Sequence, residues 1–257
     1  MLYNWLYPLH TDYGFLNVFS YLSFRIIYAA VTAFLIAFVL TPWLIRKLQE
    51  IKHGQQIRDD GPKHHLAKSG TPTMGGLLII FAVLLSTLLW ADITKPYVWL
   101  VMIATLGFGA IGFADDYLKF IKARSKGLSP TQKFTAQITV ALLIALALYF
   151  LPSYSTKLNV PFFKNFTPDL GWFYVVFVVL VIVGSSNAVN LTDGLDGLAI
   201  GPIMIAAQAY TIVAYVAGHR IMSDYLLIPH IEGAGEIAVF TAAILGSSLG
   251  FLWFNTY

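Results

Sequence analysis

Two carboxylates and two carboxamides crowd the segment NAVNLTDGLDGLA, residues 187–199, at the junction of two long apolar runs. Asn187, Asn190 and Asp193 are three apart, so on a continuous helix they share one face, with Gly194 and Gly197 able to end it. Amide and carboxylate oxygens on one face, beside glycines that let a backbone approach closely, suit a nucleobase, ribose hydroxyls or a metal-bound diphosphate. Spacing does not choose among these. A plainer alternative is that Thr192 or Asp193 caps the next helix. Capping accounts for one Asp, but not for four polar residues with two glycines.

A second pair of acids, Asp115 and Asp116, ends another apolar span within IGFADDYLKF. A carboxylate at the bilayer edge is costly unless it meets a cation, a proton or a substrate. Neighbours on a helix diverge by roughly 100°, so the two carboxyls cannot aim at one atom and are expected to differ in role. One acts as base or metal ligand. The other organises a nearby lysine, and Asp115 to Lys119 has the (i, i+4) spacing for that pair. A third stretch, HGQQIRDDGPKHHLAKSGTPTMGG, leads from charge into a span through a Gly-rich turn, where backbone amides and Lys68 can hold an anion. It is the weakest of the three signals, because Thr71-Pro72 also serves as a plain helix start and Gly75-Gly76 as a close-packing site.

The elements that carry these residues are membrane spans. Of 257 residues, 58% are hydrophobic and 11% charged, far from the soluble average. Seven charge-free runs can each cross about 30 Å of hydrocarbon as a helix: 26–45, 70–91, 96–114, 134–156, 170–192, 197–218 and 237–257. None alternates as a barrel strand does, and the first lacks the short basic flank and cleavage site of a signal peptide. The fold expected is therefore an all-α polytopic membrane protein, a single helical domain over 1–257 without internal repeat or linker. The proline-bounded VPFFKNFTPDLG is expected to form a small outer hairpin near 157–169, or a re-entrant turn. Zero cysteines exclude disulfides, thiolate metal sites and cysteine nucleophiles.

Charge fixes the expected orientation. Of sixteen Lys and Arg, six (Arg46, Lys47, Lys52, Arg58, Lys63, Lys68) lie in one connection and five (Lys119, Lys122, Arg124, Lys126, Lys133) in another. Basic loops stay cytoplasmic. Alternating the spans then puts the amino terminus and the 157–169 loop outside, and Tyr257 inside. Asp115-Asp116 and Asp193 to Asp196 fall on the same cytoplasmic side as the basic loops, which is where a polyanionic substrate would be met. For any one lysine, setting orientation and binding anionic headgroups is an equally good account.

The strings AKSGTPTMGG, IGFADDYLKF, SKGLS, VPFF, NAVNLTDGLDGLA and GFLWFNTY together resemble the phospho-N-acetylmuramoyl-pentapeptide transferases, of the polyprenyl-phosphate sugar-phosphate transferase superfamily, from about Phe19 to the last residue. The resemblance implies transfer of phospho-MurNAc-pentapeptide from UDP-MurNAc-pentapeptide to undecaprenyl phosphate, giving lipid I and UMP, with Mg2+, in the bacterial inner membrane and with the active site on the cytoplasmic side. By the same resemblance Asp115 and Asp116 are the catalytic acids near the lipid phosphate. Lys68, Lys126 and Lys133 hold phosphates, and Thr73 and Gly194 belong to the substrate site. Asn187, Asn190, Asp193 and Asp196 line the nucleotide and metal region, with Asp193 and Asp196 as metal ligands, and Asn255 approaches the uridine. Membrane lipid and a second copy in a homodimer are the implied partners; nucleic acid is not.

The family continues past WFNTY into a segment bearing its main metal-binding Asp, so the expectation for a chain ending at Tyr257 is an amino-terminal fragment without activity. Three alternatives carry different consequences. A hexosamine-phosphate transferase would use another sugar. An ion-coupled transporter would place its acids at the membrane midplane rather than at span ends. A non-catalytic nucleotide-binding fragment would bind UDP-sugar without metal-dependent product.

Overall fold

The computed structural model describes residues 1–52, 75–120, 127–152, 154–160, 163, 166–192 and 198–255. Among them the regular structure is helical: α1 Leu2–Leu6, two 3-10 turns (Tyr7–Thr11 and Gly14–Ser20), α2 Leu22–Lys52, α3 Gly76–Trp90, α4 Pro96–Phe120, α5 Pro130–Tyr149, α6 Phe173–Thr192, α7 Ile200–Gly218, α8 Arg220–Leu226 and α9 Gly235–Asn255. Six of these, α2, α4, α5, α6, α7 and α9, are long and apolar enough to cross a membrane. The remaining expected span, 70–91, is a helix of 15 residues over its described part, α3. Its first residues, 70–74, lie outside the described residues.

Most boundaries shift by a few residues from the sequence expectation, and in one span the cause is visible at both ends. The run 134–156 is a helix over Pro130–Tyr149 instead. The start moves back because Ser129 closes a capping box: its hydroxyl accepts from the Gln132 amide at 3.2 Å while the Gln132 side chain accepts from the Ser129 amide at 3.1 Å, with Pro130 at the first helical position. The end comes early because Pro152 follows, and the residue before a proline is pushed out of the helical region. Beyond it the expected hairpin is closed by an antiparallel bridge between Lys157 and Asp169, with the Leu158 amide donating to the Pro168 carbonyl at 2.9 Å.

The helices gather into two compact units, Met1–Trp99 with Ile200–Tyr257, and Leu100–Ala199. In the first, α9 is the most enclosed span, 56% buried where the other five are 17 to 28%. The cause is small residues. Ala29, Ala33 and Ala37, one turn apart on α2, are fully buried, and a Cβ placed on Gly246 of α9 would run into the Ala30 carbonyl. On Gly250 it would lie 2.7 Å from the Phe34 oxygen. Helices in lipid gain little from hydrophobic sequestration, so close backbone approach supplies the dispersion contact that holds them. Gly246→Val is therefore expected to destabilise the protein by about 1–3 kcal/mol through overpacking. Thermal unfolding in detergent checks this, with Gly184→Val as control, because nothing lies within 4 Å of a Cβ there. Equal midpoints for the two variants would refute the close-packing account.

The same unit contains a buried polar knot. Arg25 of α2 forks onto Glu236 of α9 (2.6 and 2.7 Å), and Glu236 also accepts from the Asp92 amide at 2.8 Å. Arg25 reaches towards the Trp90 carbonyl at 3.4 Å and lies 4.4 Å from the Tyr3 ring centre. Asp92 accepts in turn from Asn4 and from the Thr94 amide and hydroxyl. Burial pushes the Asp92 carboxyl up, and these hydrogen bonds outweigh it, leaving the group below the usual carboxylate range.

Candidate active site

In the second unit, the carboxyl end of α4, the amino end of α5 and the carboxyl end of α6 carry the polar side chains. Asp115 is 7% exposed although it ends an apolar span. Its Oδ2 takes Lys119 Nζ at 2.7 Å and stands 3.9 Å from Lys133 Nζ; its Oδ1 accepts the Leu128 amide at 2.9 Å. The expected (i, i+4) pair with Lys119 is present. Leu128 comes this close because Gly127 turns the chain with φ +58°, and a Cβ on Gly127 would collide with Asp115 Oδ1 and fall 2.7 Å from Lys119 Cε. A side chain at 127 would thus displace the carboxylate.

Asp116 differs as the helix geometry requires. It is half-buried and, among the described residues, has no ion-pair partner. The two acids divide into one that is fully engaged, holding two lysines and a loop amide, and one whose oxygens are uncommitted among the described residues. The mixture of an open carboxylate and clamped ammonium groups can bind a phosphate and accept its proton.

On α6, Asn187 donates both amide hydrogens, to Gln137 Oε1 and to the Val183 carbonyl, each at 2.9 Å. Asn190, three residues on, is exposed at the end of the helix. Asn255 is the last helical residue of α9, and its side chain lies outside the described residues. Lys68, Thr73, Lys126, Asp193, Gly194 and Asp196 also lie outside the described residues, as does any capping by Asp193. Of the expected site residues, the structure thus brings Lys133 to Asp115, and describes Asp116 beside Asp115 on α4 and Asn187 and Asn190 on α6. Sequence reasoning missed Gln137 and Gly127. A lone amide inside an apolar span was the available signal for the first, and a glycine following the basic run of residues 119–126 for the second.

These features define the class: a polytopic helical membrane protein whose residues 98–257 match the model of glycosyl transferase family 4. Residues 68–80 match the phospho-N-acetylmuramoyl-pentapeptide-transferase signature 1. Proteins named phospho-N-acetylmuramoyl-pentapeptide-transferase are similar over the whole chain: 56% identical in Syntrophus aciditrophicus (strain SB), 54% in Pelobacter propionicus and 56% in Desulfosudis oleivorans. Each alignment covers 100% of this chain and 72% of the relative. The chain belongs to the phospho-N-acetylmuramoyl-pentapeptide-transferase family.

Proposed function

We propose that this protein transfers phospho-MurNAc-pentapeptide from UDP-MurNAc-pentapeptide to undecaprenyl phosphate, yielding lipid I and UMP, on the cytoplasmic face of the bacterial inner membrane. The observation that carries the reading is identity of 56% over all 257 residues to a transferase of that name. The division of labour between Asp115 and Asp116 supports it. Identity of this level across the full chain, with the match of residues 68–80 to the phospho-N-acetylmuramoyl-pentapeptide-transferase signature, favours the pentapeptide sugar over a hexosamine-phosphate, transport or binding-only role. Within one membrane domain, a second copy and surrounding lipid complete the proposed assembly.

The residues suit phosphoryl transfer, in which positioning and charge neutralisation do most of the work. Asp116 accepts the remaining proton of the lipid phosphate. The freed phosphate oxygen then attacks the sugar-linked phosphorus in line, a new P–O bond forms, and the bond to UMP breaks with its electron pair leaving on UMP. Lys119 and Lys133, held in place by Asp115, sit where they can neutralise the entering phosphate, and Lys68 and Lys126 extend that role. Asn187, Asn190, Asp193, Gly194, Thr73 and Asn255 bind the nucleotide end.

The polar side chains at these helix ends, the Asp116 carboxylate on α4 and the Asn190 carboxamide on α6 among them, are oxygen donors in a chain without cysteine, a donor chemistry that fits a hard divalent cation held by one or two carboxylates and by substrate phosphates. Asp193 and Asp196 would hold Mg2+, which supplies neutralisation of the diphosphate when bound. In membranes from cells expressing the protein from its own gene, supplied with both substrates, UMP release with a lipid-linked product is expected, stopping on chelation and resuming with Mg2+. A folded protein that binds UDP-MurNAc-pentapeptide and makes no lipid-linked product would overturn the reading.

A further inference from the structure

We propose that Gln137 is a positioning residue for the transfer site: it orients the Asn187 carboxamide so that Oδ1 alone is free to accept from a hydrogen-bond donor of the nucleotide substrate. The inference rests on the proposed nucleotide role of Asn187. It begins from a count of hydrogens. The Val183 oxygen is a backbone carbonyl and only accepts, so the Asn187 atom 2.9 Å from it is the nitrogen. The second hydrogen on that nitrogen goes to Gln137 Oε1, also at 2.9 Å. Both donors are consumed inside the protein. Rotation of the amide by half a turn would set its oxygen against two acceptors, so the orientation is determined by the pair, and Oδ1 takes no hydrogen bond from any described residue.

Gln137 is suited to this task by its place on α5. It is 4% exposed, one helical turn beyond Lys133, whose ammonium stands 3.9 Å from Asp115. Residues at i and i+4 share a face. One short stretch of α5, fixed at its start by the Ser129 capping box, therefore reaches the acid on α4 with Lys133 and the amide on α6 with Gln137. A buried amide in a membrane span needs a partner. Interhelical hydrogen bonds of this kind contribute little to membrane-protein stability, so a strong effect on ligand binding is a separable signature.

The test measures the dissociation constant for UDP-MurNAc-pentapeptide and the thermal midpoint in detergent, for protein expressed from its own gene. Gln137→Met keeps the volume and removes the acceptor; Gln137→Asn keeps the amide and withdraws it by one methylene, and carries the test if the first variant does not fold. Either is expected to weaken binding about tenfold, the value of one well-placed hydrogen bond. Gln137→Glu, which retains an acceptor at full length, is expected to restore most of it. On an Asn187→Ala background the Gln137 changes are expected to add nothing further. Unchanged affinity in the Gln137 variants with a lowered midpoint would overturn the proposal by showing a role in packing alone, and so would additive losses in the double variant. Unchanged affinity in Asn187→Ala alone would instead sink the nucleotide role on which the inference stands.

Discussion

Asp116→Asn is expected to lower transfer by about three orders of magnitude while affinity for UDP-MurNAc-pentapeptide stays within about threefold. The size follows from removing a general base, which contributes typically 10²–10⁴-fold. The selectivity follows from geometry. Among the described residues Asp116 holds nothing in place, so neutralising it leaves the lysines and the 127–128 turn as they are. Asp115→Asn is expected to fail differently. An Asn there can still accept the Leu128 amide but gives up the charge that holds Lys119 at 2.7 Å and draws Lys133 to 3.9 Å, so KM for undecaprenyl phosphate should rise together with the loss of kcat. Steady-state kinetics with each substrate varied separates the two patterns. Wild-type turnover in Asp116→Asn would remove it from the proposed chemistry, and identical kinetic signatures in both variants would remove the division of labour.

That division was partly legible in the sequence. The 100° step between adjacent helical residues demands two environments for Asp115 and Asp116, and Lys119 at i+4 names which acid is paired. The spans were legible for the same local reason: about twenty apolar residues bounded by charge need no knowledge of the partner helix. Where the partner mattered, the signal failed. Gln137 and Asn187 are 50 residues apart, and each alone looks like a polar interruption of a span. A charge-free run marks the start of α5 at Phe134, past the capping box that Ser129, Pro130 and Gln132 spell, because Lys133 interrupts the run inside the helix's first turn. The close contact of α2 with α9 was invisible because alanine and glycine at four-residue spacing carry no apolar contrast in a span that is apolar on every side.

The longest-range case is the Arg25 and Glu236 pair, 211 residues apart, with side chains only 5% and 10% exposed. Arg25→Met is expected to destabilise the protein by about 3–5 kcal/mol, because it strands a buried carboxylate whose remaining donor among the described residues is the Asp92 backbone amide. For a chain of this size that corresponds to a fall in thermal midpoint of about 10 °C. The double variant Arg25→Met with Glu236→Gln tests the cause. A glutamine oxygen can still accept from Asp92, and with no charge left to strand, the double variant should recover much of the loss despite carrying more changes. If the cost of Arg25→Met came instead from lost packing on Tyr3 or from the weak contact to the Trp90 carbonyl, neutralising Glu236 would restore nothing. Thermal unfolding of the wild type, both singles and the double closes that cycle. A double variant no more stable than Arg25→Met would show that the arginine acts as a packed side chain and not as the counter-charge that lets a carboxylate join α9 to α2.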